Sequence, residues 1–118
     1  MGMKIAPPTL GETRPGSELT ERARRALLLR DSVEGLAFAR DALEDVEGER
    51  LDISQCRFTR CRIAPGRIKW LSFTDCVFEN CDFSGALLRS ASLWRVELRD
   101  CTAAGADFSE SSLQSVLF

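Results

Sequence analysis

The fold is encoded most clearly in residues 76–85, which read Cys-Val-Phe-Glu-Asn-Cys-Asp-Phe-Ser-Gly. Cysteine and phenylalanine each recur after five residues, and each phenylalanine follows a cysteine by two positions. A period of five fits neither an α-helix, which repeats every 3.6 residues, nor a long strand, which alternates every two. It does fit a short extended stretch followed by a turn, because residues two apart on a strand point the same way.

The same period extends over more than half of the chain. At the chain's own hydrophobic fraction of 44%, the apolar series has a chance of about one in a hundred thousand for a given frame. We call its members centre residues; they are Ile53, Phe58, Ile63, Ile68, Phe73, Phe78, Phe83, Leu88, Leu93, Leu98, Ala103, Phe108, Leu113 and Phe118. The residue two before each centre is mostly small and never charged, and we call it the small position. Such units cannot bury their apolar side alone, so the sequence predicts an all-β solenoid with every centre from Ile53 to Leu113 buried.

The repeat closely resembles the pentapeptide-repeat family, whose consensus unit is Ala-Asp/Asn-Leu-x-x. Cys-Asp-Phe-Ser-Gly at residues 81–85 and Ala-Asp-Phe-Ser-Glu at residues 106–110 match that unit nearly letter for letter. The resemblance covers residues 51–118 and implies a right-handed quadrilateral β-helix with 20 residues per coil.

Charge pairing does not by itself fix the length of the coil. An offset of 20 places Arg62 beside Asp82, and it does the same for Asp75 with Arg95 and Glu79 with Arg99. An offset of 15 gives equally good pairs, such as Arg60 with Asp75 and Arg67 with Asp82. The square cross-section therefore rests on the resemblance.

The residues before the repeat divide into an arm and a helical segment. Residues 1–16 contain several prolines and glycines and are predicted to lack regular structure. Ser17 is the predicted N-cap of a helix over residues 18–30, with Leu19, Ala23, Ala26 and Leu27 on one face.

Residues 31–50 fit two structures equally well. Val33, Phe38 and Leu43 continue the five-residue series, but the same segment suits a second helix, and Gly48 breaks the series. We therefore divide the chain into an arm (1–16), an N-terminal α-helical cap with a transition into the solenoid (17–50), and the β-helix (51–118).

Composition excludes several classes of function. Lys+Arg 16 against Asp+Glu 18 gives no basic excess for direct nucleic-acid binding, and the absence of His removes imidazole chemistry. The sequence contains no recognisable catalytic motif, so neither an enzyme nor a cofactor is expected. The longest aliphatic run, Ala26 to Leu29, is too short to cross a membrane, and no signal-peptide core is present. We expect a cytoplasmic protein.

The cysteines are interpreted as small apolar side chains. Cys56, Cys61, Cys76, Cys81 and Cys101 all occupy the small position, and their spacings match no zinc motif. Stacked strands lie about 4.8 Å apart, whereas the Cβ atoms of a disulfide lie about 3.8 Å apart, so reduced thiols without a metal are expected.

Three outward apolar residues are candidates for binding a partner. Trp70 and Trp94 occupy positions where the repeat otherwise places polar residues, and Leu87 lies on the adjoining face. Exposed tryptophan often anchors a protein interface. The alternatives are that the N-terminal arm covers the rings or that Arg50 stacks on Trp70 from the coil below.

A second candidate contact consists of Val116, Leu117 and Phe118, which continue the repeat without a polar cap. An uncovered coil invites a two-fold homodimer stacked end to end, a partner protein that continues the stack, or further repeats of a longer natural chain. Known members of the family pair through their C-terminal coils, and the resemblance therefore favours the dimer.

The leading functional hypothesis is a non-enzymatic, rigid module for protein–protein interaction. The resemblance implies a second one, because some bacterial members mimic DNA and modulate DNA gyrase or topoisomerase, conferring resistance to inhibitors. A DNA mimic needs a long negative surface. Residues 51–70 instead carry a net charge of +4, which departs from that pattern.

Overall fold

Parallel β-strands form most of the chain in the computed structural model, which describes residues 8, 10 and 12–117. Helix α1 (Leu19–Leu29) lies between β1 (Arg14–Pro15) and β2 (Ser32–Glu34). The later strands are β3 (Leu36–Ala39), β4 (Ala42–Glu44), β5 (Gly48–Ser54), β6 (Arg57–Thr59), β7 (Arg62–Ala64), β8 (Ile68–Glu79), β9 (Ser92–Arg99) and β10 (Ser112–Leu117). Within the described residues, no helix is long and apolar enough to span a bilayer.

Each coil of the solenoid contains 20 residues. Ser32 pairs with Asp52, Asp52 with Ser72, Ser72 with Ser92, and Ser92 with Ser112. The remaining ladders from β3 onward keep the same offset. Four five-residue units therefore make one coil, and the predicted solenoid of stacked repeats is confirmed.

Three ion pairs also follow the 20-residue offset. Arg62 Nη1 lies 3.1 Å from Asp82 Oδ2, and Arg95 Nε lies 2.6 Å from Asp75 Oδ1. Arg99 Nη1 lies 3.7 Å from a carboxylate oxygen of Glu79. These are the pairs that the sequence assigns to an offset of 20, so the alternative of 15 is wrong.

The solenoid begins at Ser32, within residues 31–50, for which the sequence also allowed a second helix. The sequence boundary at residue 51 is therefore one coil too late. Gly48 breaks the apolar series for a tertiary reason, because Leu27 of α1 packs where its side chain would be. A Cβ atom at Gly48 would lie 2.6 Å from Leu27 Cδ2.

Helix α1 packs its predicted face on the first coil, with Leu19, Ala23 and Ala26 buried. Its start differs from the prediction, because Glu18 is the N-cap rather than Ser17 and makes no side-chain capping bond. The N–H of Leu19 instead donates to Asp41 Oδ2 at 3.1 Å. The Asp41 carboxylate, which belongs to the solenoid, therefore caps the helix. The sequence around residue 18 does not indicate this hydrogen bond.

Stacked side chains fill the interior of the solenoid. Phe58 stacks on Phe38 and on Phe78, with ring centroids 5.6 Å and 4.6 Å apart. The prediction that every centre is buried is wrong at four positions: Ile68 and Phe108 are half-buried, and Ala103 and Leu113 are exposed. Ile68 pairs with Gly48, which offers no side chain beneath it. The other three belong to the coil that is stacked on one side only among the described residues.

Candidate protein-interaction surface

The exposed apolar side chains lie on the outer faces of the coils, on helix α1 and on the last coil, because the rest of the interior is filled. Among the described residues, seven large ones are exposed: Leu28, Leu29, Trp70, Leu87, Trp94, Leu113 and Leu117. Any site for a partner is therefore convex or lies in a shallow groove between elements.

Trp94 is held rigidly on β9. Its ring is 43% exposed, and the Arg95 guanidinium carbon lies 4.0 Å from the ring centroid. Arg95 donates two hydrogen bonds to the buried carboxylate of Asp75, from Nε at 2.6 Å and from Nη2 at 2.7 Å. These hydrogen bonds raise the pKa of Arg95. A fixed guanidinium thus holds the indole in place while leaving its outer side open to a partner.

Trp70 lies in a different environment, beside the end of α1. A groove of about 760 Å³ runs between Trp70 and Leu28, with Arg50 at its edge. Lys69 Nζ lies 4.6 Å from the centroid of the Trp70 ring. The sequence alternative placed Arg50 on this ring, but the cation found over it is that of Lys69.

The three predicted partner-binding residues lie at separate places on the surface. Leu87 is exposed and faces Asp107 of the next coil through an isolated parallel bridge. Trp70 lines two grooves, and neither includes Leu87 or Trp94. All three lie on two adjoining sides of the coils, because Trp70 and Leu87 precede the corner that Trp94 follows.

The predicted end-to-end contact falls on β10 and beyond it. Val116 is half-buried and Leu117 is 46% exposed. Phe118 lies outside the described residues. Leu113, on the same strand, is 45% exposed, so β10 exposes two leucines.

Several outward charges are paired between coils. Arg62 lies between Glu44 of the coil below and Asp82 of the coil above, at 3.0 Å and 3.1 Å. Asp82 also accepts hydrogen bonds from the Ser84 N–H and the Thr102 hydroxyl. Hydrogen bonds from Ser84, then Thr102 and the charge of Arg62, lower the pKa of Asp82 to about 2.

The cysteines all lie in the small position, and four of the five are buried. Burial raises the pKa of the Cys76 and Cys56 thiols. Cys101 is half-buried, and a hydrogen bond with the side chain of Cys81 lowers its pKa to about 7.

The family described as pentapeptide repeats matches residues 70–102 and 81–118, in 8 copies. The chain is a pentapeptide-repeat protein. The match begins at Trp70, and the 20-residue ladder continues the same solenoid back to Ser32.

A curated relative of this pentapeptide-repeat protein is the quinolone resistance pentapeptide repeat protein QnrB96 of Scandinavium goeteborgense. The two are 44% identical over 43 residues, which is 36% of this chain and 20% of the relative. The chain therefore covers much less than two thirds of the relative's length. No solved structure matches the chain.

Sequence reasoning missed two exposed residues of this pentapeptide-repeat protein, Leu28 and Leu29, which are 82% and 64% exposed. The sequence does contain a pattern from which their exposure could have been predicted. In the run from Ala26 to Leu29, one turn of helix directs only part of the residues toward the core. Ala26 and the half-buried Leu27 take those places, which leaves the next two leucines outside.

Proposed function

We propose that this protein is a non-enzymatic interaction module that binds another protein through the outer face around Trp94. The observation that carries the proposal is the rigid Trp94–Arg95–Asp75 arrangement. A preorganised aromatic ring loses little conformational entropy on binding, and tryptophan and arginine are the residue types that dominate interface energetics.

Surface charge favours a protein partner over nucleic acid. In the basic coil, Arg57 and Arg62 are paired with carboxylates of neighbouring coils. Arg60, Arg67 and Lys69 make no ion pair with described residues, but three cations are few for binding a phosphate backbone.

Affinity capture from a native lysate tests the proposal with a matched pair of variants. The parent, Trp94→Ala and Trp70→Ala are immobilised separately, and retained proteins are identified by mass spectrometry. We expect a protein that the parent and Trp70→Ala retain and Trp94→Ala loses. A retained protein that is equally abundant on all three would show that Trp94 does not anchor the interface.

A second candidate function is modulation of DNA gyrase or topoisomerase by imitation of DNA. The support is the 44% identity over 43 residues to a quinolone resistance protein. A gyrase partner would also place the protein in the cytoplasm. The alternating ion pairs on the surface count against extended DNA mimicry, because the paired cations interrupt any continuous negative stripe.

A supercoiling assay distinguishes the second candidate from the first. Gyrase is assayed with a fluoroquinolone, with and without this protein at increasing concentration. Restored supercoiling, or inhibition in the absence of drug, would support gyrase as the partner. No effect at concentrations where the protein saturates its captured partner would contradict it.

Three finer features of the architecture complete the proposal. We propose that the coil is right-handed, as the family resemblance implies. Helix α1 acts as the N-terminal cap, since Leu19, Ala23 and Ala26 cover the apolar end of the first coil. The outer edge of β10 forms a contact with a second copy of the chain through Leu113 and Leu117.

A further inference from the structure

Three cysteines form a column through successive coils. Cys61, Cys81 and Cys101 are 20 residues apart and occupy the small position of the same side. The Asp82 N–H donates to the carbonyl of Cys61 at 2.9 Å, and the Thr102 N–H donates to that of Cys81 at 3.0 Å. The three backbones are therefore in direct register, and their side chains project in parallel.

The strand spacing does not suit a disulfide between neighbouring thiols of the column, but it does suit a metal ion held between them. Parallel side chains on strands about 4.8 Å apart keep their Cβ atoms farther apart than the roughly 3.5–4.5 Å of a disulfide. Two metal–thiolate bonds of about 2.3 Å placed in line span about 4.6 Å, which matches that spacing.

Because the three thiols lie in a straight column, they cannot all bind the same metal ion. The outer thiols of the column lie about 9.6 Å apart, so one ion cannot contact all three. Consistently, no group of three cysteines or carboxylates among the described residues could hold a metal ion together. Tetrahedral Zn²⁺ does not fit this arrangement, whereas a soft cation with two ligands in line does.

Charge and access favour one pair of thiols. A divalent ion with two thiolates is neutral, so it tolerates the apolar interior. Cys101 lines a groove of about 170 Å³ together with Phe83, Ala103 and Phe108, which gives a route from solvent in the single chain. Cys56 and Cys76 are also 20 residues apart, but both are fully buried.

We propose that Cys81 and Cys101 form a binding site for a soft, two-coordinate divalent cation, with Hg²⁺ as its probe. Binding breaks two S–H bonds, forms two S–Hg bonds and releases two protons to solvent. No oxidant is needed. The site extends the role of these cysteines beyond packing, which is the only role that the sequence assigns them.

Native mass spectrometry with Hg²⁺ in the presence of excess monothiol tests the site. The competitor removes mercury from single thiols, whereas a site with two protein thiolates retains it. We expect the parent to hold a single ion, with a mass gain of one mercury less two hydrogens and an unchanged far-UV spectrum. Ala is a safe replacement, because Ala86, Ala91 and Ala106 occupy the same repeat position.

The column provides its own matched variants. Cys81→Ala leaves Cys61 and Cys101 too far apart to share an ion, so retention should be lost. Cys61→Ala keeps the proposed pair and should retain mercury, as should Cys76→Ala. Equal retention by Cys81→Ala and the parent would overturn the proposal, and so would loss in Cys61→Ala or binding that requires unfolding.

Discussion

At the scale of single residues, Asp82 joins two coils through one carboxylate. Oδ1 accepts hydrogen bonds from the Ser84 N–H at 2.8 Å and the Thr102 hydroxyl at 3.1 Å, and Oδ2 faces Arg62. Because the folded-state pKa is lowered to about 2, the ionised form stabilises the fold. That contribution is present above the unfolded pKa of about 3.9 and is lost as the pH falls through the folded value.

Asp82→Asn should therefore lower the urea midpoint at pH 7, and its difference from the parent should shrink between pH 4 and pH 2. Urea unfolding followed by circular dichroism at these pH values measures both effects. Asp100→Asn is the control, because Asp100 is exposed and makes no ion pair with described residues. A deficit for Asp82→Asn that stayed constant down to pH 2 would contradict the role of its ionisation.

The outward direction of Trp70 and Trp94 was predictable, because a five-residue period fixes which positions face the interior. The side chains that contact these two rings were not predictable. Whether Asp75 meets Arg95 or Arg60 depends on the length of the coil, and the charge pattern fits both lengths. Only the backbone register separates the two possibilities.

At the scale of elements, the stacked phenylalanines should supply more stability than any other group of centres. Phe58 contacts three rings, those of Phe38, Phe73 and Phe78. Phe58→Ala should cost about 3–5 kcal/mol, since the rigid stack cannot collapse into the cavity. Phe108→Ala, the same substitution at a half-buried centre, should cost clearly less. Equal losses in the free energy of unfolding would show that stacking between coils adds little.

Two glycines test how closely neighbouring elements approach. A Cβ at Gly66 would lie 2.8 Å from the carbonyl oxygen of Val46, which belongs to the backbone and cannot move aside alone. A Cβ at Gly48 would meet the end of the Leu27 side chain, which can rotate. Gly66→Ala should therefore cost about 1–3 kcal/mol, and Gly48→Ala much less. Chemical denaturation of the two variants compares them, and the reverse order would refute this packing argument.

The elements were predictable where the repeat is regular and less so where it meets the helix. Gly48 breaks the series in the sequence, yet β5 begins at this residue, and Leu27 fills the space of the missing side chain. The corners were only partly predictable. Arg60, Asn80 and Asp100 turn them with φ of 53°, 53° and 51°; Asn and Asp favour this left-handed conformation, but for Arg60 it is imposed by stacking and could not be predicted.

At the scale of the whole molecule, each coil is stabilised by its neighbours, so an uncovered coil is the place where association is expected. β10 pairs with β9 along one edge, and no described strand pairs with its other edge. Leu113 and Leu117 are nearly half exposed there. A second copy stacked on this edge would bury both leucines and satisfy the free N–H and C=O groups.

Leu117→Arg should weaken or abolish that association, because it places a charge at the rim of the stacked coil, where Leu117 is in register with Glu97. Sedimentation at micromolar concentration should show a dimer for the parent and a monomer for the variant. Leu87→Arg is the matched control, since Leu87 is similarly exposed but lies away from β10. A parent that sediments as a monomer would refute the contact. A dimer that survives Leu117→Arg but not Leu87→Arg would show that the two copies contact each other side by side, through the surface around Leu87.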